Sequence, residues 1–168
     1  VTSLSFDISV LELFYTLSRG YTVVVAGDEA KAKARRPMQF SLFYFSADER
    51  ENRTDKYRLL IEGAKFADER GFVAVWTPER HFHAFGGLYP NPAVTSAALA
   101  TVTSRVQLRA GSIVTPLHHP LRVAEEWSVV DNLSNGRAAI SIAPGWQPND
   151  FVLRPETFGK QKQVMIEE

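Results

Sequence analysis

The stretch that decides the fold is VQLRAGSIVTPLHHPLRVAEEWSVVDNLSNGRAAISIAPG, residues 106–145. An apolar segment ends at a turn with two adjacent histidines, and a segment with the apolar spacing of a helix follows and stops at Asn135 and Gly136. A second apolar segment comes directly after it. A strand, a helix and a strand in this order form a right-handed unit whose two strands are parallel. The stretch therefore predicts an α/β protein with a parallel sheet.

The same alternation extends towards the N-terminus. Segments 38–46 and 72–79 predict two further strands, and segments 55–71 and 91–104 predict the helices that follow them. The strands are almost continuously apolar, which is typical of a sheet that is covered on both faces.

Two architectures fit four strands with helices between them: an open doubly wound sheet, or half of a (β/α)₈ barrel. No Gly-x-Gly-x-x-Gly turn follows a strand, which disfavours the dinucleotide-binding open sheet. The long polar and aromatic segment RHFHAFGGLYP after the second strand suits a barrel, whose chemistry is built from such loops. Because a full barrel needs about 250 residues, we expect residues 38–168 to be its first half.

The N-terminal part of the chain has a different pattern. Residues 1–27 predict a helix, a turn and a strand, and the small, charged segment DEAKAKARRP at residues 28–37 predicts a linker. The chain begins at Val1 and ends within a predicted helix, so we expect a fragment of a longer protein.

Composition excludes several functions. Nineteen basic residues balance nineteen acidic ones, so no net charge attracts nucleic acid or an anionic membrane. The longest apolar run, residues 21–27, is far shorter than the ~18 residues that span a bilayer. The absence of cysteine excludes disulfides and thiolate chemistry, and it fits a cytoplasmic protein.

Polar and aromatic side chains follow three of the predicted strands. In a parallel barrel, the ends of these strands meet at one face, so the side chains are expected to converge there. They are Thr77, Glu79, Arg80, His81 and His83 after the second strand, His118 and His119 after the third, and Trp146 and Asp150 after the fourth.

The four histidines form two sequence pairs, His81 with His83 and His118 with His119. Neither pair has the helical His-x-x-x-His spacing of a metal site, so no metal is predicted. The second pair either braces the turn before the next helix or contacts a ligand, and the sequence leaves both interpretations open.

Gly111 and Ser112 interrupt the third strand. A glycine inside a strand indicates a bulge or the close approach of a ligand. The sequence alone does not separate a bulge that shapes the sheet from a flat molecule that lies against the strand.

Three motifs, WTPERHFHAFGGLYPNPAVTSAALA, RAGSIVTPLHHPLRVAEEWSVVDNLSNGR and SIAPGWQPNDF, resemble in order and spacing the bacterial luciferase-like flavin monooxygenases, and most of all a subgroup embedded in nonribosomal peptide synthetases. The resemblance implies a TIM-like barrel that binds reduced FMN from a flavin reductase and uses O₂, through a hydroperoxyflavin, to oxygenate an amino-acid-derived substrate. That substrate is a small molecule or is tethered to a carrier domain, and a homodimer is possible.

The resemblance also assigns positions. Gly111 and Ser112 match a non-prolyl cis peptide against the isoalloxazine, Glu79 and His81 match a catalytic loop above the flavin, and Trp146 matches a loop near the phosphate. We add Thr77 to the predicted cofactor contacts.

This sequence departs from the luciferase α subunit at two positions. Arg80 stands where that subunit has a histidine, and Pro144 stands where it has a phosphate-gripping arginine. The resemblance therefore does not imply light emission, and we expect the phosphate to be held by other groups.

A second resemblance covers the N-terminal block. LSFDISVLELFYTLSRGYTVVV is similar to a core motif of adenylation domains, with the signature Phe-Asp-x-Ser at residues 6–9. It implies that Asp7 binds the substrate's α-amino group, and a helix cap is the alternative. We thus expect a monooxygenase inserted in an adenylation domain. Two rival functions are a deazaflavin-dependent oxidoreductase of the same fold and an inert insert in an amino-acid-activating enzyme.

Overall fold

The computed structural model describes residues 38–45 and 54–168. The predictions on the adenylation-like segment 1–27, with Asp7, and on the linker 28–37 lie outside the described residues.

All paired strands of the described residues are parallel. The strands are β1 (Ser41–Phe43), β2 (Ala74–Thr77), β3 (Gln107–Ala110), β4 (Ile113–Val114), β5 (Ala138–Ala139) and β6 (Ile142–Ala143). Four form one sheet in the order β1, β2, β3, β5, and β4 and β6 form a two-stranded sheet. The order follows the chain, without the reversal of a doubly wound sheet. The prediction of an α/β fold with a parallel sheet is confirmed.

Helices connect successive strands, and their ends carry the predicted signals. The side chain of Asn91 accepts hydrogen bonds from the backbone N–H groups of Ala93 and Val94 at 2.8 and 3.2 Å, which caps the second helix. The third helix ends at Asn135, whose φ of 57° is left-handed. The α-helices are α1 (Arg58–Glu69), α2 (Pro92–Ala100), α3 (Pro120–Ser134) and α4 (Gln161–Glu167).

Two of the predicted strands are each divided in two. The segment predicted as one strand from 106 to 116 contains β3 and β4, separated by a cis peptide bond between Gly111 and Ser112, and it ends in a 3₁₀-helix, Thr115–Leu117. The next predicted strand is divided into β5 and β6. Across the two gaps, Ser141 N–H donates to the carbonyl of Ala110 at 3.3 Å and Ile113 N–H donates to the carbonyl of Ser141 at 2.8 Å. The strands therefore change direction together and stay paired.

The core lies between the sheet and the helices. One cluster joins α1 and α2 to the sheet, and a second joins α2 and α3 to it; these clusters include Leu60, Val75, Leu99, Leu108, Trp127 and Val130. Such packing fixes the strand register and so the positions of the loops that follow the strands. Among the described residues, no helix has the length and apolar character needed to cross a membrane.

Candidate active site

Glu79 is the centre of a buried hydrogen-bonded cluster beyond the end of β2. Glu79 is only 4% exposed. Its Oε1 lies 2.8 Å from His81 Nε2 and 2.5 Å from His118 Nε2. Its Oε2 accepts a hydrogen bond from the Val114 N–H at 2.7 Å. The carboxylate thus joins the loop after β2 to β4 and to the turn after β4.

The charge of Glu79 fixes the tautomers of both histidines. Burial by itself would raise the pKa of Glu79, but the hydrogen bonds from His118, His81 and the Val114 N–H, together with the attraction of His118, hold this pKa below its ordinary 4.5. An ionised carboxylate only accepts hydrogen bonds. His81 and His118 therefore both carry a hydrogen on Nε2.

His118 is the titratable partner in this cluster. Burial would lower its pKa, but the hydrogen bond and the charge of Glu79, with a smaller contribution from Glu126, raise this pKa above the ordinary 6.5. The His118 side chain is 24% exposed, whereas the Glu79 side chain is fully buried. His118 is therefore the member of the pair that can exchange a proton with solvent.

These opposite shifts predict how the pair affects stability. Glu79, with a lowered pKa, stabilises the fold above its ordinary 4.5, and this stabilisation is lost as the pH falls through its folded pKa. His118, with a raised pKa, stabilises the fold below its ordinary 6.5, and this stabilisation is lost as the pH rises through its folded pKa. The pair should stabilise the fold most between these two values.

The prediction is checked by comparing unfolding free energies of wild type and His118→Gln by urea denaturation. Their difference should be larger at about pH 5.5 than at about pH 9. His83→Gln serves as the control, because His83 is exposed and its Nδ1 contacts the backbone of Phe85. A difference for His118→Gln that does not change over this range would contradict the assigned coupling.

The same three side chains are a Glu/His/His set of the kind that binds zinc. Their donor atoms all lie within 4.8 Å of one another. However, the contacts of 2.5 and 2.8 Å are hydrogen-bond lengths, whereas two ligands of a tetrahedral zinc, each ~2.0–2.1 Å from the metal, lie about 3.3 Å apart. The cluster in this geometry is hydrogen bonded, and the absence of a metal site stays a prediction.

A buried ion pair lies beside this cluster. Arg80 is 8% exposed and Asp150 is 1% exposed. Arg80 Nη1 lies 3.5 Å from Asp150 Oδ2, while Asp150 Oδ1 accepts the His81 N–H at 2.7 Å. The Arg80 guanidinium also lies 4.9 Å from the centre of the Trp146 ring and 5.7 Å from that of Phe45.

A pocket of about 360 Å³ opens between these groups and β4 and β6. Ser112 and Ser141 join its strands through a contact of 2.9 Å between their hydroxyl oxygens. The lining combines small or apolar residues with charged ones. The small or apolar residues include Phe45, Gly111, Ser112, Val114, Pro144 and Trp146, and the charged residues are Glu79, Arg80, Asp150 and Lys162.

Comparison with known proteins decides the family. Residues 38–167, well over half of the chain, match the sequence profile of the luciferase-like monooxygenases. The chain belongs to the luciferase-like monooxygenase family. Its relatives include flavin-dependent enzymes: the oxygenase component of flavin-dependent trigonelline monooxygenase from Acinetobacter baylyi is 40% identical over 110 residues, which cover 64% of this chain and 30% of that protein.

Solved structures of monooxygenases have the same fold. The chain superimposes on monooxygenase RslO1 from Streptomyces bottropensis with a TM-score of 0.72 and 29% identity, over 77% of this chain and 40% of that one. It also superimposes on the oxygenating constituent of 3,6-diketocamphane monooxygenase from Pseudomonas putida in complex with FMN, with a TM-score of 0.67 and 20% identity, over 78% and 38% of the two chains. The chain spans less than half the length of each of these relatives.

Within this luciferase-like chain, the predicted site residues divide into two groups. Glu79, Gly111, Ser112 and Trp146 line the pocket. His81 does not line the pocket but contacts Glu79, which does. Thr77 is only 1% exposed, and its hydroxyl accepts a hydrogen bond from Thr95 at 2.8 Å. In the described structure, Thr77 therefore joins β2 to α2.

The two histidines of the turn have separate roles. His119 Nδ1 accepts the Leu121 N–H at 3.2 Å and caps α3, as the bracing interpretation predicts. His118 points to Glu79 instead. For Gly111, a Cβ would lie 2.7 Å from the Phe43 ring and 3.1 Å from the Trp76 ring, so protein packing alone requires the glycine.

Sequence reasoning placed Asp150 and Arg80 in the polar group but missed their pairing, and it missed the link between Glu79 and His118. The residues of the two pairs are far apart in the chain, 39 residues for Glu79 and His118. One available signal was that a buried arginine or glutamate almost always has a charged partner.

Proposed function

We propose that this chain forms part of a flavin-dependent monooxygenase that binds reduced FMN in the pocket beyond β4 and β6. The observation that carries the proposal is the pocket itself, in a member of this family, with a lining that combines small and apolar residues with charged ones. The full barrel and its second half belong to the same proposal.

The residues present fit such a cofactor. Gly111, Ser112 and Pro144 put little side-chain bulk on the wall, as a flat ring requires. Arg80, which also lines the pocket, has an Nε that is buried without a hydrogen-bond partner among the described residues. Gly111, Ser112, Val114 and Trp146 would hold the ring, and bound reduced flavin would supply the activation of O₂.

The chain's own residues would orient the cofactor and hold a proton beside it. Glu79 fixes the loop after β2 against β4 by accepting the Val114 N–H. His118 can hold a proton at Nε2 against the Glu79 carboxylate, which also lines the pocket. His81 would act through Glu79, and this assignment of Glu79 and His81 to catalysis is part of the proposal.

The test is anaerobic titration of the complete enzyme with reduced FMN, followed by oxygen uptake. We expect protein-bound reduced FMN to be reoxidised at a rate different from that of free reduced FMN. The variant Ala143→Leu, which adds bulk to the pocket wall, should weaken FMN binding by about tenfold or more. If wild type does not bind flavin, the proposal fails. If it binds only a deazaflavin and consumes no O₂, the hydride-transfer function replaces it.

A matched control for this variant is Ala98→Leu, the same change at an exposed position of α2. It should leave FMN affinity unchanged. Gly111→Val is a poor probe, because its side chain would collide with Phe43 and Trp76 whether or not flavin binds there.

We further propose that the complete protein is a peptide synthetase in which residues 1–27 belong to an adenylation domain, Asp7 binds an amino group, and the oxygenated substrate is amino-acid-derived. The sequence resemblance of residues 4–25 supports this context. ATP–pyrophosphate exchange with amino acids tests it. Exchange without flavin-dependent oxygen uptake would favour the inert insert.

A further inference from the structure

We propose that Arg80 binds a negatively charged oxygen group of the pocket's ligand, either the phosphate of the flavin or a carboxylate of the substrate. The inference rests on the proposed function, because it adds the chemistry of recognition to the same pocket. Two observations support it: the contacts of the Arg80 guanidinium with aromatic rings, and the Nε–H donor of Arg80, which lacks a hydrogen-bond partner among the described residues.

The guanidinium of Arg80 contacts two aromatic rings as well as Asp150. Its carbon lies 4.9 Å from the Trp146 ring centre and 5.7 Å from the Phe45 ring centre. Ring faces attract a cation, but they accept little from its N–H groups. Arg80 is thus a buried cation that lines an open pocket.

The donors of Arg80 are under-used. A guanidinium has five N–H donors. In the part of the chain that the structure describes, its polar partner is Asp150, and the separation of 3.5 Å between Nη1 and Oδ2 is longer than a good charged hydrogen bond. The other oxygen of Asp150 is committed to the His81 N–H, and Arg80 Nε has no partner. A buried donor without a partner is costly, so an acceptor supplied by a ligand would be favourable.

The carboxylates of the pocket leave the donors of Arg80 available. Glu79 accepts hydrogen bonds from two imidazole N–H groups and the Val114 N–H instead of from Arg80. The exposed Lys162 also lines the pocket and adds a second cationic side chain. The planar fork of Arg80 suits both carboxylate and phosphate.

The experiment measures binding to the complete enzyme with two matched pairs of probes. FMN is compared with riboflavin, which lacks the phosphate, and benzoate is compared with benzamide, which lacks the charge. The variants are Arg80→Met, Arg80→Lys, and the double variant Arg80→Met/Asp150→Asn. The double variant removes both charges of the buried pair, so it leaves the net charge of the pocket unchanged and serves if Arg80→Met alone misfolds. Arg58→Met is the control, because Arg58 is 71% exposed and pairs with Asp55.

We expect Arg80→Met and the double variant to weaken binding of the anionic probe by about tenfold to a hundredfold. The affinity for the matched neutral probe should be unchanged. Arg80→Lys should recover part of the loss. If the affinity for FMN falls more than the affinity for riboflavin, Arg80 binds the flavin phosphate. If the affinity for benzoate falls more than the affinity for benzamide, Arg80 binds a substrate carboxylate. Equal effects on charged and neutral probes in both pairs would overturn the proposal. Failure of wild type to bind either flavin would instead refute the proposed function, and the benzoate pair would still decide the role of Arg80.

Discussion

Replacing Glu79 with alanine should lower the free energy of unfolding by about 3–5 kcal/mol, because it removes one member of a buried charged group. The carboxylate accepts hydrogen bonds from His81, His118 and the Val114 N–H. Without it, a buried N–H and two imidazoles lose their acceptor together, and alanine leaves a cavity where the carboxylate lay. Urea denaturation of wild type and variant, with equal m-values, measures the loss.

The matched control is Glu62→Ala. The Glu62 side chain is 61% exposed and pairs with Lys65 on the surface of α1 at 2.9 Å. Its loss should change stability by no more than about 0.5 kcal/mol. Glu79→Gln keeps the shape of the side chain and one acceptor oxygen. Its loss in the free energy of unfolding should therefore lie between the losses of the two alanine variants. A cost below about 1 kcal/mol for Glu79→Ala would show that the cluster does not hold the loop to the strands.

The order of elements could be predicted from the sequence because it depends on local signals. The cap at Asn91 with Pro92 after it, and the left-handed end of α3 at Asn135, are encoded within a few residues. Short helical crossovers then require parallel strands. The division of the strands at Gly111 and near Ser141 was only partly visible, because a glycine inside a strand indicates an interruption but not that the neighbouring strand bends at the same level.

The arrangement of the site was less predictable, because it depends on register. Ile113 pairs with Ile142, and this alignment brings residues after β2, β4 and β6 to one level. Histidine spacing along the chain was a poor guide, since adjacent His118 and His119 have different partners and the Glu79 cluster joins two segments that are far apart in the chain. The sequence also did not indicate that the Thr77 hydroxyl contacts Thr95 of α2, because successive strand residues point to opposite faces; the predicted cofactor contact at Thr77 stays a prediction.

Another buried carboxylate, Asp68 near the end of α1, binds the segment that leads into β3. Its Oδ1 accepts the N–H groups of Arg105 and Val106 at 2.6 and 2.8 Å, and its Oδ2 accepts the N–H and hydroxyl of Ser104 at 3.0 and 3.1 Å. Arg105 also donates through its guanidinium to the Asp68 carbonyl. These contacts hold the segment before β3 against α1.

Asp68→Ala should therefore cost about 3 kcal/mol of stability, because three backbone N–H groups lose their acceptor at once. Asp68→Asn, which keeps one acceptor oxygen, should cost less, and Asp131→Ala at an exposed position of α3 should cost no more than about 0.5 kcal/mol. Burial would raise the pKa of Asp68, but the hydrogen bonds from Val106, Ser104 and Arg105 lower it below the ordinary 3.8. Its stabilisation is present above that value and is lost as the pH falls through the folded pKa. The difference between wild type and Asp68→Asn should accordingly shrink in acid, and a difference that grows in acid would mean that the carboxylate is not held ionised by these donors.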